Sequence, residues 1–258
     1  MNCELLQVAT SILSDPNALQ SQMREVGYLF FPDLVDSSRV LEVRQDVLKI
    51  LDKHGVLDRA CGLMEGRMRN GPAPTRRSLI RFHREINQLE SFNALAHSDE
   101  IRELMNRLID GEVQVHTRKI CRIKYPHDDY DIVAPHQDYF YIRGSEETYS
   151  AWLPLGEINQ QMGGLAVAPG SHHARFLEHR KPEDSRFSGV SFADADRVWH
   201  RSDYSPGDAL IFHSLTLHRG LPNVSDRVRL SVDYRYQQEG MEIVASHLKA
   251  HFADVSAQ

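Results

Sequence analysis

The chain is poor in cysteine, in long apolar runs and in positive charge. Three cysteines, Cys3, Cys61 and Cys121, stand among 258 residues. They are too few and too scattered for a disulfide framework or a structural zinc site. That usage fits a reducing cytosol. The opening Met-Asn-Cys-Glu-Leu-Leu carries an acid where a signal peptide would carry positive charge, so a cytoplasmic location is expected. No run of eighteen apolar residues exists, and no membrane span is expected. Lys plus Arg number 30 against 36 Asp plus Glu, a formal net charge of −6. That balance argues against a nucleic-acid binder held by a basic surface. There is no internal repeat and no low-complexity tract. What remains is ordinary globular composition, 41% hydrophobic and 26% charged. A chain of this length buries about 70% of its unfolded surface and needs no staple to fold.

The first part, 1–110, reads as helical. Asp15-Pro16 starts a helix toward Val26, and Gly27 stops it. Tyr28-Leu29-Phe30-Phe31 is a short apolar strand ended by Pro32. Asp36-Ser37-Ser38 offers cap oxygens to a helix with Val40, Val43, Val47, Leu48 and Leu51 at helical spacing. A further helix pair is marked by Leu89, Phe92 and Leu95, and then by Ile101, Leu104, Met105 and Leu108 behind Ser98. From Gly111 to about residue 240 the texture changes. Short β-type runs alternate with turn residues: Val113–His116, Lys119–Tyr125, Tyr149–Leu155, Leu165–Ala168, Ala209–Phe212 and Arg227–Tyr236. This pattern predicts a mostly β core with flanking helices, in one domain spanning 1–258.

The last of these strands has two faces. Val228, Leu230, Val232, Tyr234 and Tyr236 alternate with Arg227, Arg229, Ser231, Asp233 and Arg235, and period two separates the two sets. Charges on one face of a core strand are either a solvated edge or a functional surface.

Ala134-Pro135-His136-Gln137-Asp138-Tyr139 places an imidazole and a carboxylate two residues apart. On a strand they share a face and converge. A second imidazole is available from His218 in Phe212-His213-Ser214-Leu215-Thr216-Leu217-His218. Two His and one carboxylate form the facial triad of non-haem Fe(II) oxygenases, with three positions left open. A zinc hydrolase could use the same donors, but its usual His-Glu-x-x-His spacing is absent. A cosubstrate with a carboxylate tail needs a fixed cation. Arg229, eleven residues beyond His218 on the charged face, can hold a carboxylate bidentately.

These residues, in this order, resemble the phytanoyl-CoA dioxygenase family of Fe(II)- and 2-oxoglutarate-dependent oxygenases. The resemblance runs from Gly27-Tyr28-Leu29-Phe30-Phe31-Pro32 to about Tyr236. It includes Trp152 in Ala151-Trp152-Leu153-Pro154-Leu155, the run from Gly163 to His172, Pro206-Gly207-Asp208-Ala209, and Arg219-Gly220-Leu221-Pro222-Asn223 after His218. It implies a double-stranded β-helix, the cupin-like jelly roll. It implies Fe(II) on His136, Asp138 and His218, and 2-oxoglutarate with its distal carboxylate on Arg229 and Trp152 beside it. It implies hydroxylation of an unactivated C–H bond of a small molecule by O2, with release of succinate and CO2. Desaturation, epimerisation and cyclisation are other outcomes of the same chemistry. Many members carry Ser two residues after the distal His. Here that position is Gly220, so Ser231 or a water substitutes, or the donor is absent. The intact Asp138 argues against halogenation.

Other residues have two readings. Arg122 and Lys124 share a strand face, either touching the cosubstrate or protecting a solvated edge. Gln137 should point away from the metal in a structural role. His213 reads as a packing or hydrogen-bonding residue, and His172 and His173 as surface or loop anchors. Tyr139, Phe140 and Tyr141 line the pocket or fill the core. The polar segments 57–87 and 174–205 read as long loops, either a solvated surface or, for one of them, a lid closing over the substrate. The first holds Arg59, Arg67, Arg69, Arg76, Arg77, Arg81 and Arg84, which favour an anionic substrate. The competing reading of the whole is a metal-binding jelly roll without oxygenase activity, such as a cupin-like isomerase, lyase or sensor.

Overall fold

A computed structural model of the chain describes residues 3–128, 134–181, 188–190 and 197–253. Helix α1 (Pro16–Val26) begins where expected: Asp15 Oδ1 accepts from the amides of Asn17 at 3.0 Å and Ala18 at 3.1 Å. It stops at Gly27, whose φ is +79°. A Cβ at Gly27 would lie 2.5 Å from His172 Nδ1 and 2.6 Å from Thr216 Oγ1. Both backbone sign and space therefore require glycine. Asp36 caps α2 (Ser37–Lys53), and α4 (Glu90–Leu95) and α5 (Asp99–Leu108) match the apolar spacing in the sequence.

Among the described residues, ten strands lie in two sheets. In chain order they are β1 (Cys3–Glu4), β2 (Tyr28–Phe31), β3 (Val113–Val115), β4 (Ile120–Lys124), β5 (Thr148–Pro154), β6 (Leu165–Val167), β7 (Trp199–His200), β8 (Ala209–His213), β9 (His218–Gly220) and β10 (Arg229–Gln238). The smaller sheet runs β1-β7-β6-β9. The larger runs β2-β8-β5-β10-β3, with β4 also paired to β10. Two strands of the helical first part thus belong to the sheets: β2 pairs with β8, and β1 pairs parallel with β7.

Three apolar clusters account for the layering. The largest holds the buried faces of α1, α2, α4 and α5 against Leu29, Phe31, Leu153, Ile211, Leu230 and Tyr234 of the larger sheet. A second, with Tyr28, Phe30, Trp152, Leu165, Val167, Leu210 and Phe212, fills the space between the sheets. A third, around Trp199 and Leu217, covers the outer face of the smaller sheet. Strands buried on both faces, with helices on one side, form the expected jelly-roll core.

Strand β10 carries the layering in its alternation. Leu230, Val232, Tyr234 and Tyr236 face the helices, where Tyr234 Oη donates to Phe92 O at 2.7 Å and Tyr236 Oη to Ala96 O at 2.8 Å. Arg229, Ser231, Asp233, Arg235 and Gln237 take the other face, and none is more than 6% exposed. The charged face is therefore interior. Burying guanidinium and carboxylate costs several kcal/mol per ion unless they are paired, which marks this face as functional.

Two local expectations are corrected. The segment 57–87 is not an unstructured loop, because it contains α3 (Arg76–Ile86), capped by Thr75 Oγ1 and burying Ile80, Phe82 and Ile86. Its first part is pinned too, with Met68 N donating to Asp226 O and Arg44 to Met64 O. Tyr139, Phe140 and Tyr141 lie not on a strand but on the short helix α6 (Asp138–Ile142). Residues 182–187 and 191–196 of the segment 174–205 lie outside the described residues. The described parts pack on the His136 region: His179 stacks on Phe140 at 4.3 Å, and Val190 N donates to Pro135 O at 2.7 Å. No helix among the described residues is long and apolar enough to cross a membrane.

Candidate metal centre

His136 and His218 are 82 positions apart in the chain and bonded to each other in space. His136 N donates to His218 O, and His218 N to His136 O, each at 3.0 Å. This antiparallel bridge brings the two imidazoles to a centroid distance of 4.1 Å. Gln137 is extended (φ −106°, ψ 133°), and Asp138 opens α6. The single extended step turns Asp138 to the side of His136, although no strand continues through it. Gln137 points the other way: its amide donates to Arg175 O and Leu215 O, and its carbonyl accepts from Leu177 N. That is the structural role expected of it.

The donor atoms of His136, Asp138 and His218 lie within 4.8 Å of one another, and all three residues are buried. No other group of His, Cys, Asp and Glu among the described residues meets that condition. Asp138 Oδ1 is 3.9 Å from His136 Nε2 and 3.6 Å from His218 Nε2. Each imidazole donates through Nδ1 to a carbonyl, His136 to Ala134 O at 2.9 Å and His218 to Thr216 O at 3.0 Å. A carbonyl only accepts, so the proton sits on Nδ1, and each Nε2 lone pair faces the centre. Burial, and next the neighbouring His218, hold His136 well below its ordinary range. Burial lowers His218 also. Burial pushes the Asp138 carboxyl up, but Arg235, the two imidazoles and Ser150 outweigh it and leave it ionised. Two neutral imidazoles and one carboxylate on one side of a buried centre are a donor set for a divalent transition metal with open positions.

A cavity adjoins the triad. It is lined by Arg229, Ser231, Lys124, Arg122 and Trp152, with His136 and His218 at its end. Four of these form a square on paired strands: Lys124 lies opposite Arg229, and Arg122 opposite Ser231. Arg229 Nη1 donates to Gly164 O at 2.8 Å and Leu221 O at 3.2 Å, which fixes the guanidinium. Ser231 Oγ is buried without a hydrogen-bond partner among the described residues, an orphan donor that a bound carboxylate would satisfy. A Cβ at Gly220 would lie 3.6 Å from Arg229 Nη2, so the family's serine would have stood at this same corner. Arg122 Nε donates to Asp233 Oδ2 at 2.6 Å. Trp152 packs edge-on against Tyr204 at 4.7 Å.

Other candidates stand apart from the triad. His213 Nδ1 accepts from Leu215 N, and its Nε2 is 3.6 Å from Glu147. His172 and His173 donate to Arg24 O and Glu25 O, anchoring their turn to the end of α1. Tyr141 is 39% exposed and donates to Ser188 O. Arg59 pairs with Asp52 and Arg67 with Asp226, while Arg76, Arg77 and Arg81 are exposed. None of the arginines of 57–87 lines the cavity beside the triad.

Sequence reasoning missed Arg235, Ser150 and Asp233. Arg235 Nη2 donates to Asp138 Oδ2 at 3.1 Å, and Ser150 Oγ to the same oxygen at 2.5 Å. The signal was present for Arg235, which shares the face of Arg229 by period two. Ser150 carried none, because its role depends on strand pairing.

A family model described as phytanoyl-CoA dioxygenase (PhyH) matches residues 23–231. The chain is 31% identical over 245 residues to 1-deoxypentalenic acid 11-beta-hydroxylase of Streptomyces arenae, covering 80% of this chain and 86% of that protein. It is 30% identical over 254 residues to the enzyme of the same name from Streptomyces exfoliatus, covering 88% and 83%. Among solved structures, the epimerase SnoN in complex with Fe3+, alpha ketoglutarate and nogalamycin RO superposes with a TM-score of 0.63 at 20% identity, covering 89% of this chain and 87% of that one. That likeness supports the fold.

Proposed function

Because the chain belongs to the phytanoyl-CoA dioxygenase family, and is therefore a non-haem Fe(II)- and 2-oxoglutarate-dependent oxygenase, we propose that His136, Asp138 and His218 hold its iron and that Arg229 holds the distal carboxylate of 2-oxoglutarate. The observation that carries this is the buried triad with both Nδ1 protons committed to backbone carbonyls, opening onto a cavity that ends in a buried arginine. Iron and 2-oxoglutarate bound there would supply the oxidation, in which O2 and 2-oxoglutarate are consumed together, one oxygen atom converting an unactivated C–H bond to C–OH and the other ending in succinate, with release of CO2. The protein's share is orientation and exclusion of water. Ser231 supplies the donor that Gly220 lacks, Lys124 and Arg122 add charge around the cosubstrate, and Trp152 walls one side. A non-oxidative metal protein would need no arginine and orphan serine beside its metal, so that alternative explains less.

The substrate on this reading is a small intermediate of specialised metabolism, most simply hydroxylated. Its support is the two relatives named for hydroxylation of 1-deoxypentalenic acid. An anionic group on the substrate accords with that acid and with the exposed arginines of α3, the helix that abuts β4. A cytoplasmic location accords with three free cysteines.

The test is spectroscopic. Metal-free protein is given Fe(II) and then 2-oxoglutarate without oxygen. A weak visible charge-transfer band should need both additions and be absent in Asp138→Ala. Bound iron with no band would overturn the cosubstrate reading.

A further inference from the structure

The carboxylate of Asp138 has two oxygens, and the fold treats them differently. Oδ1 faces the two imidazole Nε2 atoms. Oδ2 is turned to the larger sheet and held three times: by Ser150 Oγ at 2.5 Å, Arg235 Nη2 at 3.1 Å and Arg235 Nε at 3.3 Å. Ser150 on β5 and Arg235 on β10 are cross-strand partners, so the grip comes from one point of a paired sheet. Arg235 is 2% exposed. Its Nη2 also lies 3.8 Å from Asp233, which in turn takes Arg122.

A buried guanidinium is a poor device for strengthening a metal site. Its positive charge competes with the ion for the same carboxylate, and its own desolvation is costly. What it does well is direct hydrogen bonds along fixed lines. We propose that Arg235 and Ser150 are positioning residues that keep Asp138 a one-oxygen ligand. With Oδ2 engaged, the carboxylate cannot chelate. The coordination position that its second oxygen would fill stays open for cosubstrate and O2. This inference rests on the assignment of Asp138 as a ligand.

Mn(II) serves as the probe, because its bound waters can be counted by line broadening in 17O-enriched water. An octahedral ion with three one-oxygen or one-nitrogen protein ligands keeps about three waters. Wild type should show that number, and Arg235→Met should lose one. Arg235→Met should also raise the KM for 2-oxoglutarate, which then competes for the filled position. Arg235→Lys, retaining charge and a donor, should restore the count. An unchanged count in Arg235→Met would be the mark of a merely structural role and would overturn the proposal. Where Arg235→Met does not fold, Ser150→Ala decides. A count between two and three supports the proposal, and a full count refutes it. Failure of wild type to bind Mn(II), or binding that survives in Asp138→Ala, would instead fall on the ligand assignment itself.

Discussion

Arg229 and Ser231 stand two residues apart on β10, and each has a basic partner opposite it on β4. The two should not matter equally. A fixed guanidinium gives a carboxylate paired, charge-assisted hydrogen bonds worth about 1.5–3 kcal/mol. Arg229→Ala should therefore raise the KM for 2-oxoglutarate about 10- to 100-fold and leave kcat for the saturated enzyme much less affected. A serine hydroxyl gives one neutral donor, worth about 1 kcal/mol, so Ser231→Ala should raise the same KM only about fivefold. Steady-state kinetics at varied 2-oxoglutarate check both, and an Arg229→Ala enzyme with wild-type KM would remove that role.

Among elements, β10 and α3 show what sequence can and cannot disclose. The alternation in β10 was legible because period two survives whatever lies on either side. The triad was legible because His136, Asp138 and His218 come in a family-specific order. The partner of Asp138 was not, since Ser150 and Arg235 meet only through the register of β5 and β10. Helix α3 was hidden by its charge. Arg76, Arg77, Arg81 and Arg84 read as a polar loop, although Leu79, Ile80, Phe82, His83 and Ile86 follow helical spacing behind the Thr75 cap. Helix α6 was hidden because a one-turn helix after an extended residue has no period to detect. Arg76 and Arg77 open α3 and are exposed, so charge reversal there does not disturb packing and suits the helix N-terminus. If they draw an anionic substrate toward the β4 side of the molecule, the double reversal Arg76→Glu, Arg77→Glu should raise KM several-fold at low salt, with the difference shrinking as salt is added. An unchanged KM would remove the anionic substrate.

At the scale of the whole molecule, buried imidazoles tie folding to pH. Burial, and then Arg122, pull His83 down to about 4. Burial and Arg235 pull His116 down to about 4, against the Gln237 hydrogen bond. Burial, Arg235 and Arg118 do the same for His247. The ordinary value for an unfolded histidine is about 6.5. Below that, the unfolded chain takes up protons that the folded chain refuses. Stability is thus full above about pH 6.5 and falls as pH drops toward 4, by on the order of 3 kcal/mol per histidine at the limit. Thermal melts of the apoprotein should show Tm dropping steeply between pH 6.5 and 4. His83→Phe, which keeps the ring contacts with His251 and Phe252, should flatten that drop. Parallel slopes in wild type and variant would contradict the account.

The reciprocal backbone bonds between His136 and His218 reach beyond the chemistry they frame. The spacing of the two imidazoles is set by peptide groups that pair as the sheets close, in the same step that buries the core. If these two residues hold the iron, their spacing belongs to the backbone pairing rather than to the ion. Apoprotein should then melt as a folded chain, with Fe(II) raising an existing Tm rather than creating the transition.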